Sequence, residues 1–158
     1  MNKFPFGKLY KQSISKKFIK MVNTIDMQDM RHLNLFGKIT RVNTRFCLKY
    51  NGTLIFCVPK SLVQKAVGEN GKNIKQIGKI LGKRIKVVPK PRGIQDLEYF
   101  IKVIISPVNF RELEVKDKEV IVNAGAQNKA ALIGRNKRRF FEMQNIIRNL
   151  FGKELRIV

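Results

Sequence analysis

Histidine is almost missing from this chain, acidic side chains are scarce, and no long apolar run occurs. One histidine and two cysteines stand among 158 residues. Together with the lack of any recognisable acidic pair or metal-ligand spacing, this leaves little from which to build a catalytic centre. His32 has no partner nearby in sequence for a metal or a triad and reads as a surface or packing residue. No apolar run approaches the ~18 residues that suggest a membrane span, and no apolar secretory core is expected near the N-terminus. The 11 acidic residues face 33 basic ones, a net charge of +22. The excess is +9, +7 and +6 over residues 1–50, 51–100 and 101–158, so it is spread along the chain and not confined to a tail. Solubility charge usually comes with acids mixed in; this balance points to a polyanionic partner.

The two cysteines flank Asn51-Gly52, the strongest short hairpin signal in the chain. In a two-residue hairpin Tyr50 pairs with Thr53, which sets Cys47 opposite Phe56 and Cys57 opposite Phe46. The thiols then point to opposite faces of the sheet, no disulfide is expected, and both read as buried thiols of a cytoplasmic protein.

The chain is organised around Val67-Gly68-Glu69-Asn70-Gly71-Lys72-Asn73-Ile74. Leu62, Val63, Ala66 and Val67 precede it at helical spacing, and Ile74, Ile77, Ile80 and Leu81 follow it. The segment reads as helix, sharp turn, helix. The glycines let the backbone bend and stay bare, and the second helix opens with amide groups able to attract an anion. Gly82 caps this helix, and Arg84 to Val88 reads as a strand. The pattern returns 66 residues later. Ala131-Leu132-Ile133-Gly134-Arg135-Asn136-Lys137-Arg138-Arg139-Phe140 leads into Met143, Ile146, Ile147 and Leu150, then Gly152 and a closing strand over 154–158. Gly82 maps on Gly152 at an offset of 70, so the second helix is about one turn longer.

Residues 1–23 carry six lysines and no acid, interleaved with Phe4, Phe6, Phe18 and Ile19. They read as a basic N-terminal extension, either an RNA-contacting arm or a loose tail; the lack of arginine argues against a transit peptide. Thr24 is a plausible cap for a helix to about Gly37, with Asp26 and Asp29 near its positive end and Met27, Met30, Leu33 and Phe36 as its stripe. Strands over 45–50 and 53–58 follow, Pro59 ends the second, and Ser61 can cap the next short helix. The linker Pro89-Lys90-Pro91-Arg92-Gly93 is stiffened by two prolines. A second unit then repeats the order. Its first helix carries Leu97, Phe100, Ile101, Ile104 and Ile105 and stops at Ser106-Pro107; strands are expected at about 108–115 and 119–123.

Helix–strand–strand–helix–GXXG–helix–strand, twice, resembles tandem type II K-homology (KH) domains, and the whole is similar to the archaeal NusA-like transcription factors. The likeness rests on Met30 to Gly37, Lys65 to Ile74, Ile105-Ser106-Pro107-Val108 and Ala131 to Arg135. It implies an α+β fold of two domains, 24–90 and 94–158, each a three-stranded sheet covered by helices. It implies a single-stranded RNA groove of about four nucleotides in each, and contact with RNA polymerase near nascent transcript. Carried over, Gly68, Glu69, Asn70 and Gly71 place backbone against phosphate, Lys72 and Lys75 add charge, and Ile74, Ile77 and Val87 offer an apolar floor, although Ile77 reads more simply as core. The second loop departs from the pattern. Lys137 stands where the last glycine should be in Gly134-Arg135-Asn136-Lys137, so Arg135, Lys137, Arg138 and Arg139 would bind phosphate through side chains, with Gly134 and Asn136 as the rest of the contacting loop. Glu69 sets a carboxylate beside the first loop.

The chain reads as a non-enzymatic RNA-binding factor, expected to be a monomer with no cofactor and no membrane association. A nucleotide-triphosphatase loop fails, because Gly71-Lys72 would need glycine at Ala66 and serine or threonine at Asn73. The remaining competitor is a ribosome-associated KH protein with a structural or assembly role.

Overall fold

The computed structural model describes residues 27–158; the basic extension 1–23, the Thr24 cap and Asp26 lie outside them. The first half runs α1 (Met27–Thr40), β1 (Phe46–Tyr50), β2 (Thr53–Val58), α2 (Val63–Val67), α3 (Lys72–Leu81) and β3 (Arg84–Pro89). The second runs α4 (Leu97–Ile105), β4 (Glu112–Val115), β5 (Glu119–Asn123), α5 (Ala126–Ile133), α6 (Arg138–Phe151) and β6 (Glu154–Ile157). Each half carries a three-stranded sheet, ordered β1-β2-β3 and β4-β5-β6, with the first pair antiparallel and the last strand parallel to the middle one. Asn51 and Gly52, both at positive φ, turn the first hairpin, and Cys47 pairs with Phe56 and Cys57 with Phe46 as the turn length requires. The two cysteines form no disulfide.

Several boundaries move. Helix α1 runs through Gly37 to Thr40 and ends where Arg41 turns left-handed and donates its N–H to the Gly37 carbonyl at 2.9 Å. Gly37 therefore terminates nothing; a Cβ there would come within 3.0 Å of Asn43 Oδ1, so its smallness lets the following loop fold back. The buried face of α1 is His32, Phe36 and Thr40, whereas Met27 and Met30 are 73% and 51% exposed. Ser61 lies inside a 3-10 turn, Lys60–Leu62, and neither that turn nor α2 has a side-chain cap. Ile80 is also off the buried stripe of α3, at 57% exposed. Strand β4 starts only at Glu112, because Val108 is held in a turn by its N–H bond to the Ile105 carbonyl. The linker is fixed as well as stiff: Arg92 donates its backbone N–H and Nε to Asp96 Oδ2 at 2.9 and 3.2 Å.

Two cores result, divided by the first sheet. On one face Leu54, Phe56 and Val58 pack with Phe36, Ala66 and Ile77, and the Phe36 and Phe56 rings stack at 4.3 Å. On the other, Ile55, Cys57 and Val88 join α4 and the second half in one continuous cluster. Strand β2 is buried on both faces for this reason, its residues from Leu54 to Val58 all buried. Helix α4 buries Leu97, Phe100, Ile101, Ile104 and Ile105, more apolar surface than its own sheet covers, and the excess meets the first sheet. Lys86 Nζ on β3 donates to the Val103 carbonyl of α4 at 2.9 Å across the same seam. Burial along that seam lowers the Lys86 pKa. Among the described residues no helix is long and apolar enough to cross a membrane.

Candidate nucleic-acid interface

The two glycine loops have nearly the same backbone. Gly68 and Gly134 stand at φ/ψ of 81/167° and 77/173°, Asn70 and Asn136 at 55/28° and 56/29°. The fourth positions, Gly71 and Lys137, stand at 73/20° and 59/23°. Each loop closes with a pair of backbone hydrogen bonds, Gly71 N–H to Gly68 O at 3.1 Å with Lys72 N–H to Glu69 O, and Lys137 N–H to Gly134 O at 3.2 Å with Arg138 N–H to Arg135 O. A lysine thus holds the left-handed conformation that glycine holds in the first copy, at a cost of about 1–2 kcal/mol. The first glycine of each loop has a second reason to be glycine. A Cβ on Gly68 would lie 2.9 Å from the Asn73 side chain, and one on Gly134 would lie 2.8 Å from Arg139 Cγ. At Gly71 the nearest atom is Lys75 Cε at 3.9 Å, so the space before the α3 N-terminus is open.

Asn73 and Arg139 occupy the same place in the repeat and do the same work. Asn73 Nδ2 donates to the Lys65 carbonyl at 3.2 Å, and Arg139 donates to the Ala131 carbonyl at 2.9 Å, each tying the second helix to the last turn of the first. Arg139 also donates Nε to Asn51 Oδ1 at 3.1 Å, while Glu142 accepts the Asn51 N–H at 3.0 Å. The start of α6 therefore grips the tip of the first hairpin. Nearby Tyr50 has its pKa raised, chiefly by burial, against an opposing pull from Arg139.

Beside this contact opens a cleft of about 470 Å³ between the halves. Ile74, Lys75 and Gly78 of α3 form one wall, Lys83 to Lys86 the base, and the end of α4 with Ser106 and Pro107 the other wall. Its cations are Lys75, Lys83, Arg84, Lys86 and Arg139, and none of the described residues lining it is acidic. Such a cleft focuses positive potential on one path and suits a phosphate chain.

The structure gathers some of the expected residues and separates others. Ile74 and Lys75 line the cleft directly. Glu69, Asn70 and Lys72 are exposed around the first loop, as are Arg135, Asn136, Lys137 and Arg138 around the second. Ile77 is fully buried in the first core, and Val87 packs against that core and does not line the cleft. Arg139 is half-buried, with its guanidinium holding Ala131 and Asn51. Lys83, Arg84 and Lys86 were not among the expected contacts. Their signal lay in the basic run that opens β3 directly after the α3 cap, where every residue but Ile85 is cationic.

No family model matches the chain. It is 26% identical over 139 residues to the probable transcription termination protein NusA of Methanococcus vannielii, spanning 85% of this chain and 79% of that protein. A solved structure, the crystal structure of APE1850, aligns with a TM-score of 0.60 and 28% identity over 85% of this chain and all of that one. The α+β architecture with two three-stranded sheets is consistent with a KH-like fold. At low identity but over most of its length, then, the chain is similar to an archaeal protein named as a NusA.

Proposed function

We propose that this protein is a NusA-like factor built of two tandem type II KH domains, 24–90 and 94–158, which binds single-stranded RNA near RNA polymerase and acts on elongation or termination without catalysing a reaction. The observation that supports this reading is the cleft whose described lining holds five cations and no acid, between Ile74 and Lys75 of the first turn of α3 and the basic opening of β3. A glycine loop lets a phosphate approach its backbone, the cleft cations neutralise the strand, and Ile74 with Ile85 gives bases an apolar wall. The transcription role comes from the relative named NusA. Because the two halves share a core, the reading includes one rigid binding surface and not two tethered ones.

The test is binding to an unstructured RNA and to a duplex across a salt series. Single strand should win, with a log–log salt slope of roughly −3 for about four phosphates. Equal affinity for duplex of any sequence would mean that bulk charge does the binding. Co-purification with ribosomal subunits and not RNA polymerase would favour the ribosomal role.

A further inference from the structure

The repeat allows the two grooves to be compared position by position, and they are not alike. In the first half Gly78 faces the base of β3. A Cβ there would lie 3.0 Å from the Lys83 carbonyl and 3.6 Å from Ile85 Cγ1, so helix and strand approach with no side chain between them. Counted back from the cap glycine the matching residue of α6 is Arg148, and counted forward from the loop it is Gln144, which is 6% exposed. Its Oε1 accepts the N–H of Leu155 at 2.7 Å, and its amide nitrogen bonds Glu154. Glu154 is held in turn by Arg148, at 2.7 Å from Nη2 and 3.0 Å from Nε.

Leu155 corresponds to Ile85. In β6 the N–H groups of Glu154 and Val158 point to β5, so that of Leu155 points to the outer edge, where Gln144 takes it. In β3 the Lys90 N–H bonds Val58 of β2, which by the same alternation sets the Ile85 N–H on the outer edge beside Gly78. Charge follows the same division. Arg84 of the first groove is replaced by Glu154, and Lys75 by Phe141. Lys153, the counterpart of Lys83, is tied to the carbonyls of Lys116 and Asp117 at 2.8 and 2.6 Å.

We infer that the second groove is closed by its own side chains. The Gln144 carboxamide, a carbonyl acceptor beside an amide donor, stands where the edge of a base would meet the strand, and Glu154 with Arg148 locks it there. This rests on the RNA-binding reading above and refines it. Bases are held in the first groove alone, and the second half offers the strand the exposed cations of its loop, with Phe141 exposed at the start of α6 and Arg156 of β6 paired to Glu119 at 3.8 Å.

The test uses the full chain, unstructured RNA oligomers of graded length, and photocrosslinking with peptide mapping. For the parent, affinity should stop rising at a short length, with crosslinks on α3 and β3 and none on Leu155 to Ile157. In Gln144→Gly combined with Glu154→Arg the plateau should move to longer RNA, with about tenfold tighter binding of the longest oligomers, the yield of one added base contact. Crosslinks should then appear on β6. Gln144→Ala, a milder change, should speed hydrogen exchange at the Leu155 amide, which the parent protects. Crosslinks on Leu155 in the parent, or an exposed Leu155 amide in the parent, would overturn the closed groove while leaving RNA binding in place. A parent that binds no single-stranded RNA overturns both readings, and does so before any variant is made.

Discussion

Gly71→Asp separates the two loops most sharply. The position stands at φ 73° and ψ 20°, and the second copy already holds a lysine in that well. A Cβ there meets nothing closer than 3.9 Å. Folding should therefore lose only the left-handed penalty of about 1 kcal/mol, or ~2–4 °C of melting temperature for a chain of this size. Binding should lose more. A carboxylate before the α3 N-terminus would stand at about 5 Å from a phosphate on the loop. The Coulomb repulsion is then ~0.8 kcal/mol with water screening and ~3 kcal/mol at a partly desolvated site, a loss of roughly 4- to 150-fold. Lys137→Asp should keep the same backbone, since aspartate tolerates the left-handed region. It removes one exposed cation, reducing the salt slope by about 0.7 and affinity by roughly fivefold or less. Fluorescence anisotropy with a short unstructured RNA measures both, and thermal melts confirm folding. A Gly71→Asp protein that binds like the parent, beside a Lys137→Asp protein that does not bind, would refute the reasoning and give the second loop the lead.

Other outcomes follow from the core and from the perturbed groups. Phe100 is 2% exposed and packs edge-on against Phe151, so Phe100→Ala should cost ~3–5 kcal/mol and lower one shared melting transition, not one of two. Distinct rotational correlation times for the two halves by NMR would contradict that. Burial pushes the Cys57 thiol up to about 12, so it should resist alkylation at neutral pH until the chain is unfolded; rapid native labelling would exclude the buried placement. Hydrogen bonds from Arg148 are the main cause holding the Glu154 carboxyl below its usual value, against partial desolvation. Its folded pKa is depressed, so its contribution is present above the ordinary glutamate range and lost as pH falls through the folded value. The Leu155 amide shift should titrate in that acid window in the parent and not in Glu154→Gln.

The hairpin register, the glycine cap of α3 and the repeat were legible because each is a local pattern. Asn51-Gly52 sets the pairing of Cys47 and Cys57 without reference to the rest of the chain. The excess of apolar residues on α4 was visible too, though not which surface would receive it. What failed depended on partners distant in sequence. Gly37 looked like a helix stop, but its role is to admit Asn43. The tie from Arg139 to Asn51, at 3.1 Å, joins residues 88 apart and leaves no local pattern, although Arg139 also lines the cleft. The difference between Gly78 and Gln144 is present in the sequence, yet it acquires meaning only once the strand facing each residue is known.

The double covering of β2 also bears on synthesis. As the chain leaves the ribosome, the first half is complete at Pro89, with Ile55, Cys57 and Val88 still facing water. Their cover, α4, ends at Ile105. At translation rates of roughly 5–20 residues per second the gap lasts about 1–3 s, during which a bare sheet face is open to any neighbouring nascent chain. A fragment ending near the linker would stay in that condition indefinitely, so a recombinant first half should aggregate where the chain extended through α4 does not.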